Sequence, residues 1–149
     1  MNDIIELKLD EVGISYKMYA PNRSTNLIER IVDKTKKPYE YEMLVEMKEE
    51  LERVNKDKSG VILDVGLNIG NHALFFAALG YKVIGIEANP KMVAIAQKSV
   101  QINGFEDKIK IITMGASDKN ESLEFEAEIP HNYGMMHLSA INQMGGAAA

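Results

Sequence analysis

The stretch VILDVGLNIGNHALFFAALG, residues 61–80, joins an unbroken apolar run to an acid, then to a loop of glycine and asparagine, then to an apolar helix closed by glycine. An apolar run without polar alternation is the pattern of a strand buried on both faces. Residues 61–65 are therefore expected to be the first strand of a parallel sheet, covered twice by helices. Gly66 and Gly70 let the loop turn tightly and bring its backbone close to a ligand. The helix over 71–79 ends at Gly80, a residue suited to the left-handed position after a helix.

Toward the C-terminus, KVIGIE at 82–87 reads as a second strand. Asn89 and Pro90 cap and open a helix whose buried face carries Val93, Ala96 and Val100, and Asn103 with Gly104 ends it. KIKII at 108–112 is a third strand. Strand, helix, strand, helix, strand describes half of a Rossmann-like doubly wound α/β sheet with right-handed crossovers. SLEFEAEI at 122–129 is expected to be one more strand, antiparallel or peripheral, and 130–149 shows no periodic element.

Toward the N-terminus, Met43, Met47, Leu51 and Val54 recur at helical spacing and predict an amphipathic helix over 41–54. Ile5, Leu7 and Leu9, then Ile14, Tyr16 and Met18, alternate with polar residues on either side of DEVG and predict a β-hairpin. One domain is expected, with hairpin and linker in 1–38, a half-sheet in 39–129 and an irregular tail in 130–149.

Composition narrows the function. A chain of 149 residues with 46% hydrophobic and 26% charged residues can bury a core as a soluble globular domain. Its net charge of -5 argues against broad attraction to nucleic-acid phosphates. Arg30 with Lys34, Lys36 and Lys37 reads as a solvated helix end. The absence of cysteine excludes disulfides, thiolate metal sites and a thiol nucleophile, and fits a reducing compartment. His72, His131 and His137 lack metal-ligand spacing. With no apolar run near the length of a membrane span and no signal-peptide pattern, the expected location is cytoplasmic.

In an open parallel sheet the ligand sits beyond the carboxyl ends of the strands, in the first strand-to-helix loop. Asp64, Gly66, Asn68, Gly70 and Asn71 are the candidates there. Glu87, with Ala88 beside it, ends the second strand where an acid accepts hydrogen bonds from ribose hydroxyls. A dinucleotide requires bare backbone against its pyrophosphate, and Asn68 stands where that is needed. S-adenosylmethionine has no phosphate. Its ammonium suits Asp64 and loop carbonyls, and its carboxylate suits loop N–H groups or Asn68. The bland readings are a turn role for Asn68, a helix-cap role for Asn71, a structural His72 and a packing role for Tyr39.

DVGLNIGNHALFFA, EANP and GASDKNESLEF, together with YEYEML upstream, resemble the FkbM-type methyltransferases of the class I S-adenosylmethionine-dependent enzymes, over residues 39–125. The resemblance implies methyl transfer from S-adenosylmethionine by direct displacement, and O-methylation of a sugar or small metabolite. It places Ala116 and Ser117, and less directly Asp118, near the adenine; Gly115 stands where class I enzymes often carry an acid. Leu67 replaces a common alanine and is expected to add bulk beside the methionine end, and Ala88 replaces a common proline. No general base is identifiable. The expected partners are a small-molecule or saccharide substrate and neither nucleic acid nor membrane. A complete class I sheet has further strands, so an unpaired edge on the first strand is expected, with the hairpin or a second copy as its cover, and turnover by this length of chain is expected to be weak or absent. The alternatives are a non-catalytic S-adenosylmethionine-binding module and a nicotinamide-dependent oxidoreductase.

Overall fold

A computed structural model describes residues 2–125 and 138–140. The chain opens with β1 (Ile4–Leu9) and β2 (Ile14–Tyr19), an antiparallel hairpin in which Ile5 faces Met18, Leu7 faces Tyr16 and Leu9 faces Ile14. Alternation puts Ile5, Leu7, Leu9, Tyr16 and Met18 in the core. Residues 27–35, within the expected linker, form a helix, α1 (Leu27–Thr35), whose Asn26 caps the Glu29 N–H. Lys36 follows α1 in the left-handed conformation, so the basic run does sit at a helix end. α2 (Tyr41–Val54) is the expected helix, but its packed face is carried by buried Leu44 and part-buried Leu51, while Met43, Met47 and Val54, expected on that face, are exposed.

The central sheet is β3 (Val61–Val65), β4 (Lys82–Glu87) and β5 (Ile109–Thr113), parallel and in the order β3-β4-β5. The crossovers are α3 (Asn71–Ala78) and α4 (Pro90–Asn103). Asn89 caps α4 by accepting from the Lys91 N–H, and Gly104 closes it in the left-handed region, as the sequence indicates. The hairpin packs on α4 and α3. Asn103 accepts from the Lys17 N–H at 2.8 Å and donates to the Lys17 carbonyl at 2.6 Å, while Ser99 Oγ accepts from the Tyr19 N–H at 2.9 Å.

Three further expectations need correction. First, β3 is covered on one face only: Val61, Leu63 and Val65 are 57%, 60% and 56% exposed. An apolar run records that both faces are hydrophobic, not that both are covered by neighbours. In this register Leu63 lies beside Ile84, and Val65 beside Ile86 and then Ile112, so the face that is exposed on β3 continues part-buried on β4 and β5. Second, the hairpin does not cover the edge of β3: its strands pair with each other and with no strand of the central sheet, and among the described residues no strand pairs with that edge. Third, a short antiparallel pair, β6 (Leu123–Phe125) with β7 (Leu138–Ala140), places a strand in the stretch expected to be irregular. The remainder of the expected strand at 122–129 lies outside the described residues. No helix among the described residues is long and apolar enough to cross a membrane.

Candidate functional site

The loop after β3 folds back on the end of β4. The N–H groups of Gly66 and Leu67 both donate to the Ile86 carbonyl, at 2.8 and 3.0 Å. Gly66 has φ +83, and a Cβ there would meet nothing within 4 Å, so the loop opens on this side. Gly70 has φ +89 and backs onto Ala96, where a Cβ would lie 3.5 Å from the alanine methyl. One glycine thus gives access and the other gives close helix packing.

Asp64 ends β3 against the first turn of α3. Its Oδ2 is buried and has no hydrogen-bond partner. Burial raises its pKa, and the charge of Glu87 adds to that; His72 and the Ala73 amide act the other way. An unpartnered buried carboxylate oxygen is costly and calls for a donor.

Glu87 joins two segments. Its Oε1 accepts from the Asn68 N–H at 2.8 Å and its Oε2 accepts from the Asn89 N–H at 2.9 Å. Carboxylate oxygens carry two lone pairs each, so both remain able to accept again. Asn68 sits in the left-handed region at φ 55, and its Oδ1 accepts from the Ile69 N–H at 2.8 Å. Ala88 is part-buried beside Glu87.

Asn71 turns away from the loop toward the segment ahead of α2. Its Oδ1 accepts from the Tyr39 N–H and its Nδ2 donates to the Tyr39 carbonyl, each at 2.9 Å. Tyr39 itself packs against the core. Glu40 lies 3.8 Å from His72 Nε2. The Met114 N–H donates to the Glu87 carbonyl at 3.1 Å, which brings the segment after β5 to the same end of the sheet. Ala116 and Ser117 are exposed there, with Ser117 Oγ donating to Glu121 Oε1 at 2.7 Å and accepting from the Lys119 N–H at 3.2 Å. Asp118 is exposed. His131 and His137 lie outside the described residues.

Leu67 is placed differently from expectation. Its side chain is buried and packs over Gly85 on the helix side of β4, so its bulk fills the core beneath the loop. The sequence also left unread the Asn89 and Ala73 amides and the Tyr39 backbone, because backbone donors and acceptors look alike in any sequence. Among the described residues no group of three or more His, Cys, Asp or Glu could hold a metal ion.

Residues 62–144 match the family described as "Methyltransferase domain". A 54-residue stretch is 37% identical to the 23S rRNA (uracil(1939)-C(5))-methyltransferase RlmD of Marinomonas sp., covering 36% of this chain and 12% of that protein. An uncharacterised RNA methyltransferase of Oceanobacillus iheyensis is 41% identical over 54 residues, with the same coverage of each chain. The chain thus spans about 12% of the length of these curated relatives. It is also similar to the crystal structure of Pyrococcus abyssi tRNA (uracil-54, C5)-methyltransferase in complex with S-adenosyl-L-homocysteine, with TM-score 0.47 and 20% identity, over 80% of this chain and 26% of that one. The curated relatives overturn the expectation of a small-molecule or saccharide substrate with no nucleic-acid partner, since proteins sharing this stretch are named for action on RNA. The family match covers more than half of the 149 residues, and the chain belongs to the methyltransferase domain family.

Proposed function

We propose that this chain carries the cofactor-binding part of an S-adenosylmethionine-dependent methyltransferase whose methyl acceptor is RNA. The observation that carries the cofactor assignment is Asp64 Oδ2, buried and unpartnered at the carboxyl end of β3. A cationic donor answers it, and the ammonium of the methionine moiety is one. Gly66 leaves room for that end, and Glu87 accepts from the ribose hydroxyls with the lone pairs its two N–H partners leave free. Ala116 and Ser117 border the adenine. The FkbM-type resemblance of residues 39–125 supports the same cofactor.

When bound, the cofactor supplies an electrophilic methyl group on a sulfonium. The residues of this chain then bind, orient and exclude water: Asp64 fixes the amino-acid end, Glu87 fixes the sugar, and α3 with the Tyr39 segment walls the site. The RNA reading is supported by the names of the curated relatives. Arg30, Lys34, Lys36 and Lys37 form a basic run at the end of α1, ahead of the Tyr39 segment in sequence, on a chain of net charge -5.

Calorimetric and thermal-shift titration with S-adenosylhomocysteine tests the cofactor assignment. Saturation at 100 times Kd adds about 2.7 kcal/mol of stability, whereas NAD at the same concentration is expected to add none. A shift with NAD alone would sink the reading. Transfer of labelled methyl groups to a total RNA pool, compared with an oligosaccharide pool, tests the acceptor.

A further inference from the structure

Both ends of the Asn71 amide are engaged by the Tyr39 backbone, the Oδ1 by its N–H and the Nδ2 by its carbonyl. It is 4% exposed, and its partner lies 32 residues away in sequence. The segment it holds is bent at both ends by residues in the left-handed region, Lys36 at φ 55 and Glu40 at φ 59. Neither is glycine, so this shape is unfavourable without an anchor. Glu40 makes no side-chain cap to α2. Its carboxylate instead approaches His72, with Oε1 3.8 Å from Nε2. The Tyr39 segment therefore lies against Asn71 and His72 in the first turn of α3, the turn whose Ala73 amide acts on Asp64.

Resting on the cofactor reading above, the geometry points to Asn71 as a positioning residue: it fastens the Tyr39–Glu40 backbone over the amino-acid end of the bound cofactor, without touching the cofactor itself. Glu40 is then held at the first turn of α3, the turn that Asp64 also meets, so that two carboxylates flank the ammonium. This predicts an effect confined to ligands that possess the amino-acid end. Adenosine shares the sugar and base but lacks that end, and so it reports on Glu87 and the adenine side alone.

The test compares Kd values for S-adenosylhomocysteine and adenosine in the unmodified chain, Asn71→Ala and Asn71→Asp. Asn71→Asp keeps an acceptor for the Tyr39 N–H and loses the donor to its carbonyl. Asn71→Ala is expected to weaken S-adenosylhomocysteine about tenfold or more, the weight of a hydrogen-bonded contact, with Asn71→Asp between it and the unmodified chain. Adenosine affinity is expected to stay unchanged in both. Equal loss for the two ligands, or no loss for either, overturns the proposal. If Asn71→Ala does not fold, amide exchange in the unmodified chain decides: S-adenosylhomocysteine must slow exchange at Tyr39 and Glu40 more than adenosine does, and equal protection overturns it. Failure of the unmodified chain to bind either ligand would instead remove the cofactor reading, and this proposal with it.

Discussion

Leu67 occupies the volume that a side chain on Gly85 would need: a Cβ there would lie 2.7 Å from Leu67 Cδ1 and 3.1 Å from its Cγ. The loop cannot simply lift away, since the Gly66 and Leu67 N–H groups are tied to the Ile86 carbonyl. Gly85→Ala is therefore expected to destabilise the fold by about 1–3 kcal/mol through overpacking. Leu67→Ala removes the clash but leaves a cavity. The double variant is expected to be more stable than the sum of the two singles implies, which urea unfolding of all four proteins measures as a coupling energy. A neutral Gly85→Ala would contradict this packing.

Glu87 has a structural task in addition to its proposed one. Glu87→Ala leaves the Asn68 and Asn89 N–H groups without their acceptor, at a cost of about 1–3 kcal/mol. Glu87→Gln keeps one acceptor oxygen and should fall between Glu87→Ala and the unmodified chain. Thermal melts without ligand measure this cost alone, and adenosine titration of the folded variants measures the proposed ribose contact. A Glu87→Ala protein as stable as the parent would show that the two amides find other partners.

Glu29 gives a pH signature remote from the site. It is buried on α1, its Oε2 accepts from the Asn22 N–H, and neither its Oε1 nor the nearby buried Asn26 Nδ2 has a partner. Burial pushes its pKa up to about 7; the Asn22 amide and Arg23 pull down, and Asp3 pushes up. A folded-state pKa above the unfolded one means the fold favours the protonated acid. This contribution is fully present below the unfolded value near 4.5 and is lost as pH rises through about 7. Glu29→Gln, which keeps an acceptor for Asn22, is expected to gain on the order of 5 °C in Tm over the parent at pH 8 and little at pH 4.5. A difference independent of pH would refute the burial argument.

The bare face of β3 predicts a solution property. Exposed Val61, Leu63 and Val65, on a strand with one edge unpaired among the described residues, form a surface prone to strand-to-strand association. Leu63→Lys is expected to lower concentration-dependent light scattering while leaving Tm within about 1 kcal/mol equivalent of the parent. Unchanged scattering would show that this face does not drive association.

The sequence made the order of elements readable because each signal was local. Asn89-Pro90 marked the start of α4 and Gly104 its end; the 61–65 run marked the strand, and alternation marked the hairpin. What it did not show depends on distant partners. Whether Val61, Leu63 and Val65 are covered is decided by what packs opposite them, and the inward turn of Leu67 is decided by the missing side chain at Gly85. Asn71 looked like a cap or a ligand contact, since nothing nearby in sequence names Tyr39 as its partner. The acceptor reading failed for a different reason. Net charge is a property of the whole surface, and it says little about where the 17 basic side chains stand.

The double anchoring of Glu87 bears on how recognition is timed. A carboxylate already gripped from both sides has surrendered its rotational freedom during folding, so the ribose proposed to dock there would cost almost no further side-chain entropy. On that proposal, selectivity at the spot is inherited from the polypeptide's own self-assembly, and the crevice meets its guest ready-shaped.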